Sequence, residues 1–166
     1  EAIVTLLCID KQENELVICT NVLTPSQDKS SNTQTFQSQG KTLADAIENL
    51  SQSIGKDIGL AQCEAIAIVE NLCQENVMPA LDFLTRTKQV GKNNLLVAFS
   101  GDIVDFANSI SSLAKSKSLK LDDIINFNAT KMLVKESTIE AFYKSYFTPN
   151  AVGFMPKIKL EKQESP

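Results

Sequence analysis

An α+β domain built on a mixed β-sheet is the fold this sequence predicts, and three of its features carry the prediction. Two apolar runs at the N-terminus flank a short polar turn, Lys11-Gln-Glu-Asn-Glu15. Two short uninterrupted apolar runs follow, Ala65-Ile-Ala-Ile-Val69 and Leu95-Leu-Val-Ala-Phe99. Between and after them, apolar residues recur at spacings of three and four. The first feature reads as a β-hairpin. The second reads as strands covered on both faces, and the third as amphipathic helices packed on the sheet.

Residues 2–10 and 16–24 form the hairpin, rich in Ile, Val, Leu and Thr, with Asn14 expected to take positive φ in the turn. If the turn centres on Glu13-Asn14, residues pair when their numbers sum to about 27, by simple antiparallel register. Cys8 then faces Cys19. A cross-strand disulfide under oxidising conditions and a pair of buried free thiols both satisfy that pairing; the common burial of free Cys favours the thiols. Residues 25–35 are polar and read as a loop or edge connection, with residues 35–39 extending briefly before Gly40.

Residues 40–86 organise the chain. Thr42 is placed to cap a helix, with Asp45 in the capping-box position, and Leu43, Ala46, Ile47, Leu50 and Ile54 mark its apolar face. The strand at 65–69 follows. A second helix over residues 77–86 tolerates Pro79 in its first turn and presents Leu81, Phe83 and Leu84. After a turn at residues 91–94 and the strand at 95–99, Ser100-Gly101-Asp102 opens a helix carrying Ile103, Phe106, Ala107 and Ile110. Asp102 and Asp105 suit its first turn through the helix dipole, as caps rather than as catalytic carboxylates.

Residues 115–120 read as a Ser/Lys linker, 119–127 as a helix and 131–134 as a short extended piece. Ser137 caps a further helix over residues 138–147. The spacing of Ile139, Phe142, Tyr143 and Tyr146 predicts a core-facing side, with partner anchoring by Tyr143, Tyr146 and Phe147 as the competing reading. Residues 152–160 alternate as a last strand, with Pro156 at an edge or bulge. The whole is one domain, residues 1–160, ending in a polar tail at 161–166.

Composition excludes several functions. The 166 residues suit one domain, and 43% hydrophobic with 22% charged residues is ordinary for a folded protein. A net charge of −4 without a basic run argues against nucleic-acid binding. No apolar stretch approaches the length of a membrane span. Gly40-Lys41-Thr42 is not a phosphate loop, because Thr35 stands where the upstream glycine belongs and residues 36–39 contain none. With no histidine, Ser-His-Asp and Cys-His catalysis and His-containing zinc sites are unavailable. Cysteines 8, 19, 63 and 73 form no Cys-x-x-Cys pair. The expectation is a protein that is not an enzyme, with no catalytic, cofactor-binding or metal-binding residue. The chain opens directly on a strand-like run without Met, as if an upstream segment had been removed.

The residues also carry a resemblance. The opening Ala2-Ile-Val-Thr-Leu-Leu-Cys-Ile-Asp10-Lys11 is similar to the strand with which the mature part of Ger(x)C spore germination lipoproteins (GerAC-type) begins, although Cys8 replaces the usual glycine before Ile-Asp. Gly40-Lys-Thr-Leu-Ala-Asp-Ala-Ile-Glu-Asn-Leu-Ser51, Ala65-Ile-Ala-Ile-Val69 and Val77-Met-Pro-Ala-Leu-Asp-Phe-Leu-Thr-Arg86 follow in the family's order. So do Leu95-Leu-Val-Ala-Phe99, Ser137-Thr-Ile-Glu-Ala-Phe142 and Met155-Pro156. None of these motifs is chemically diagnostic; together they cover most of the chain.

The resemblance implies the N-terminal domain of a C subunit of a spore germinant (nutrient) receptor. Such subunits are non-enzymatic lipoproteins on the outer face of the spore's inner membrane, working with a multi-spanning A subunit and a B subunit. The acylated cysteine would lie upstream of Glu1; Cys8, inside a strand, is a poor substitute. A second function class stays beside this one, an extracytoplasmic small-molecule or peptide-binding domain. The segments to inspect for an interaction surface are residues 25–35 and the aromatic-rich residues 142–154.

Overall fold

The computed structural model describes residues 1–24, 32–91, 93–117, 120–133, 135 and 137–161, with the backbone alone at Lys117. Among these residues seven strands form one mixed sheet: β1 (Ala2–Gln12), β2 (Glu15–Thr24), β3 (Asn32–Gly40), β4 (Ile58–Gly59), β5 (Ala65–Val69), β6 (Leu95–Phe99) and β7 (Lys157–Ile158). Six helices accompany them: α1 (Leu43–Ile54), α2 (Glu70–Glu75), α3 (Met78–Arg86), α4 (Ile103–Lys117), α5 (Leu121–Thr130) and α6 (Ile139–Phe147). The strand order is β3-β2-β1-β5-β6-β7, with β4 also on β1. β1, β2 and β3 form an antiparallel meander, whereas β1, β5, β6 and β7 run parallel. The expected α+β domain is what the chain adopts.

β1 holds the two halves of the sheet together. It pairs antiparallel with β2 on one side and parallel with β5 on the other. Cys8 lies opposite Cys19, as the hairpin register requires, and both are free buried thiols. The left-handed residue of the turn is Glu13 (φ 55°) rather than Asn14. A bulge between Val4 and Leu6 shifts the register at the far end. All five residues of both β5 and β6 are buried, which explains their unbroken apolar sequence.

Helices cover both faces. Alternation along β2 sends Asn21 to one face and Thr20 and Val22 to the other. On the first, α4 packs over the sheet: Asn21 Nδ2 donates to the carbonyl of Ala107 at 3.0 Å, and the hydroxyls of Thr33 and Ser111 are hydrogen-bonded. On the second, Ile54 of α1 borders a cavity with Val22 and Phe36. α1 begins with the expected capping box: Asp45 N donates to Thr42 Oγ1 at 3.1 Å, and Thr42 N to Asp45 Oδ2 at 3.2 Å. Gly40 allows this helix to start so close to β3, since a Cβ there would sit 2.5 Å from the amide nitrogen of Ala46.

Several expected elements differ. β3 is a nine-residue strand rather than a brief extension, because Asn32-Thr-Gln-Thr35 pairs with β2 and not with solvent as a loop. The rest of the expected loop, residues 25–31, falls outside the described residues. α2 and β4 went unforeseen, being short and each carrying at most two buried side chains. α4 continues to Lys117, into the expected linker. The extended piece at 131–134 is instead the closure of α5, where Leu133 N reaches the Asn128 carbonyl at 3.0 Å and Met132 N the Ala129 carbonyl at 2.9 Å. That double bond pattern is a Schellman motif, with Met132 left-handed at φ 57° in the position glycine usually takes; Val134 lies outside the described residues. The cap of α6 is Thr138, whose Oγ1 accepts from Ala141 N at 3.2 Å. Ser137 is occupied elsewhere, its carbonyl accepting from Leu96 N on β6 at 2.9 Å. The last strand shrinks to Lys157–Ile158, since Pro156 has no N–H for the ladder and contributes only its carbonyl, to Ala98 N at 2.8 Å.

Two buried polar neighbours on β2 should respond oppositely to substitution. Asn21 is 2% exposed and fully engaged: besides its bond to α4, its Oδ1 accepts from Thr35 Oγ1 at 3.1 Å. Asn21→Ala should cost about 1–3 kcal/mol in chemical denaturation, because it strands the Thr35 hydroxyl and removes the link to α4. Thr20 is fully buried, and among the described residues its hydroxyl has no hydrogen-bond partner. Thr20→Val should therefore stabilise, by roughly 1 kcal/mol. A loss of stability in Thr20→Val would show that the hydroxyl is satisfied after all.

The thiols make a second prediction. Burial raises Cys8 well above its ordinary value, with the facing Cys19 adding to the effect. Burial also pushes Cys19 and Cys73 up to about 11 and Cys63 up to about 12. Thiolate is the nucleophile, so the native protein should react slowly with a thiol reagent at neutral pH and expose four reactive thiols in denaturant. Above the ordinary value of 9.0 the unfolded chain releases thiol protons that the folded chain retains, so stability should fall as pH rises through 9 toward 11.

Candidate functional site

The two edges of the sheet are finished differently. On the β6 side, the backbone is dressed by two short pieces: residues 137–139 bond to Asn94 and Leu96, and β7 pairs with Ala98 and Phe99. On the other side, β3 is the terminal strand, and among the described residues nothing pairs with its outer edge. Its sequence, Asn-Thr-Gln-Thr-Phe-Gln-Ser-Gln-Gly, has no proline and no charged residue, the two commonest devices by which proteins blunt an open edge. Gln34, Gln37 and Gln39 are exposed along it. An uncharged edge of nine residues is a template for an added strand.

The second uncovered region is apolar. Every large hydrophobic residue that stands exposed among the described residues lies within residues 127–154. Phe127, Met132 and Leu133 come from the end of α5, Tyr146 and Phe147 from the end of α6, and Val152 and Phe154 from the segment after it. Several of them have close neighbours within this stretch. Lys131 lies over the Phe127 ring at 5.8 Å and Lys135 over the Phe154 ring at 4.9 Å. Gly153 abuts Phe142 and Ser145 of α6 so closely that a Cβ would meet the Ser145 Oγ at 2.8 Å. Phe147 packs against Tyr143 and Tyr146 at 5.0 and 5.2 Å between ring centroids.

This corrects the core reading of α6. Ile139 is buried, and Phe142 and Tyr143 are half-buried, with the Tyr143 hydroxyl 3.4 Å from Asp82 of α3. Tyr146 and Phe147 are 63% and 62% exposed. The helical spacing was sound, but α6 packs on α3, where Tyr143 meets Asp82, and Tyr146 and Phe147 of its last turn stand exposed. A sequence shows a helix's apolar side; it does not show where the partner element stops.

The concave features carry little chemistry. A cavity of about 370 Å³ lies between α4 and the meander, bordered by Thr5, Asn21, Thr33, Ser111, Glu64 and Lys120. Its polar groups are already partnered within the protein: Thr5 Oγ1 with the Asn21 carbonyl at 3.3 Å, Thr33 with Ser111, and Lys120 with Glu64 at 3.2 Å. That last contact raises the Lys120 ammonium above its ordinary value. A second hollow of about 600 Å³ runs along α4 from Ser100 and Asp102 to Leu160. At the carboxyl ends of β5 and β6, Glu70 accepts from Ser100 at 3.2 Å and pairs with Lys157 at 2.8 Å, which lowers its pKa. Asp102 Oδ1 caps α4 through Val104 N and Asp105 N, both at 2.9 Å, the role foreseen for it. Among the described residues, no three His, Cys, Asp or Glu side chains are grouped to hold a metal, and no helix is long and apolar enough to cross a membrane.

The comparisons with known proteins now bear on these surfaces. No match was found among curated proteins or among solved structures. The family profile described as spore germination protein N-terminal domain matches residues 1–160. The match spans the hairpin, all six helices and β7, so it covers the whole sheet just described. With that coverage, the chain belongs to the spore germination protein N-terminal domain family, and its role lies in spore germination.

Proposed function

We propose that this domain serves a nutrient germinant receptor as a non-enzymatic subunit module that works through protein contacts. In its parent protein it sits on the outer face of the spore's inner membrane, tethered by a lipidated cysteine upstream of Glu1, beside the A and B subunits. The observation that carries the contact-based part is the bare edge of β3, nine residues without proline or charge. An extended segment of a neighbouring subunit would add there as a further strand, gaining main-chain hydrogen bonds for its affinity.

A ligand-binding reading finds some support in the 370 Å³ cavity beneath α4, which falls within the size range of small-molecule sites. It is the weaker reading, because the hydroxyls and the ion pair around that cavity bond to one another rather than converging on the space.

Gln34→Lys combined with Gln37→Lys tests the contact reading, since both side chains are exposed and the pair places charge along the edge. In spores carrying the variant parent protein, the amount of A and B subunit recovered with it should fall roughly tenfold, and nutrient-triggered germination should slow. The variant should stay folded and in the membrane fraction. Unchanged recovery and germination would remove the edge from the proposal. The tether is tested by the intact mass of the parent protein from spore membranes, which should include a diacylglyceryl group on an upstream cysteine; an unmodified cytosolic parent would sink the placement.

A further inference from the structure

We propose that the open edge of β3 takes a single added strand in one register, over residues 33–37, and that the segment it accepts is uncharged with an apolar central residue. The proposal rests on the contact reading above and names what a partner must present there.

The register follows from the hairpin turn. Gln12 and Glu15 flank a two-residue turn and pair with each other, so they exchange both of their main-chain hydrogen bonds. From there the backbone of an antiparallel strand turns alternately to one neighbour and to the other. In β2 the odd-numbered residues 15–21 turn to β1 and the even-numbered residues 16–24 turn to β3. Asn21 keeps to this pattern, its carbonyl accepting from Thr5 of β1. The β3 residues opposite the second set are Gly40, Ser38, Phe36, Gln34 and Asn32. Thr33, Thr35, Gln37 and Gln39 therefore point their N–H and C=O groups outward.

One of these outward groups is already engaged. Asn49, exposed on α1, donates from Nδ2 to the Gln39 carbonyl at 2.8 Å. A strand added beside β3 finds free partners at Thr33, Thr35 and Gln37 and an occupied carbonyl at residue 39. That stop pins a register which a polar, uncharged strand would otherwise leave loose.

The side chains say what the segment must carry. Residues directly opposite each other in neighbouring strands share a face, with Cβ atoms about 4.5–5.5 Å apart. Phe36 is half-buried and lines, with Ile3, Val22 and Ile54, a hollow of about 470 Å³ on the α1 side. The added residue opposite Phe36 stands beside that ring, where an apolar side chain covers it. Glu1 and Lys56 line the same hollow with opposite charges, so neither sign is favoured. Residues opposite Thr35 and Gln37 fall on the other face, beside a hydroxyl already given to Asn21 and an exposed amide. β3 itself carries no charge to pair with. An uncharged segment with an apolar centre matches both faces.

The first test reads the register in the purified chain by amide hydrogen exchange. The amides of Gln34, Phe36 and Ser38 should be protected by β2, and those of Thr33, Thr35 and Gln37 should exchange freely. The second is an NMR titration with two capped pentapeptides, Thr-Thr-Phe-Thr-Thr and Thr-Thr-Asp-Thr-Thr. The first should shift and protect the amides of Thr33, Thr35 and Gln37, and bind severalfold tighter than the second. Gln37→Pro removes an outward N–H that the fold does not use, so its thermal midpoint should hold while the peptide response is lost. Four results would each overturn the proposal: outward amides protected in the free chain, whether by the fold or by a second copy; peptide shifts absent or centred elsewhere; equal binding of both peptides; or undiminished binding by Gln37→Pro. The contact reading fails separately. If Gln34→Lys with Gln37→Lys lowers A and B subunit recovery in spores and Gln37→Pro in the parent protein does not, contacts at the edge stand and strand addition falls.

Discussion

A single buried amide holds the antiparallel half of this domain to its helical cover. Asn21, in the middle of β2, reaches Ala107 on α4 with its nitrogen and takes a hydrogen bond from Thr35 on β3 with its oxygen, while its own carbonyl accepts from Thr5 on β1. Four elements thus meet at one residue that apolar packing alone would not place uniquely. A helix lying on a sheet of Val, Ile and Leu can slide with little penalty; one anchored to a buried amide has a fixed register, because sliding would leave polar groups unpaired in a dry interior. The rest of α4 follows from that registration, including the stacking of Phe106 on Phe99 at 4.4 Å between centroids.

Much of this architecture was legible in the sequence because the responsible signals are local. The two uninterrupted apolar runs became β5 and β6, the capping box at Thr42 and Asp45 opened α1, and the arithmetic of a two-residue turn placed Cys8 opposite Cys19. What escaped was decided elsewhere in the molecule. Asn32-Thr-Gln-Thr35 has no apolar pattern of its own and is a strand because β2 provides a ladder. Ser137 looked like a cap, but its carbonyl is claimed by β6 and Thr138 takes the role. Lys131-Met-Leu-Val134 reads as extended by β propensity, whereas the orphan carbonyls ending α5 draw Met132 and Leu133 back over the helix. The exposed end of α6 was the least legible feature, since a bare apolar turn and a covered one have the same sequence.

The uncovered regions differ in kind, and that difference organises the functional picture. The β3 edge presents unpaired backbone beside uncharged polar side chains, chemistry suited to another polypeptide strand. The band at 127–154 presents aromatic and aliphatic side chains with lysines over their rings. Between them lie the strand ends around Glu70, Ser100 and Lys157, where the polar groups satisfy each other. In this domain of a spore germination family two regions stand uncovered, and its interior thiols sit protonated among apolar neighbours.

The central position of β1 also has a consequence for how the chain reaches its native state. Of the strands in this sheet, the first in chain order is the one that both halves require, and its parallel neighbour β5 ends only at Val69, with β6 later still at Phe99. The hairpin with β2 can form early, but one side of β1 waits for β5, whose last residue is Val69. Contacts between distant parts of a sequence form slowly, because the intervening loop must be closed before they contribute. The domain therefore locks late, and losing its first strand would divide the sheet into two parts with no strand between them.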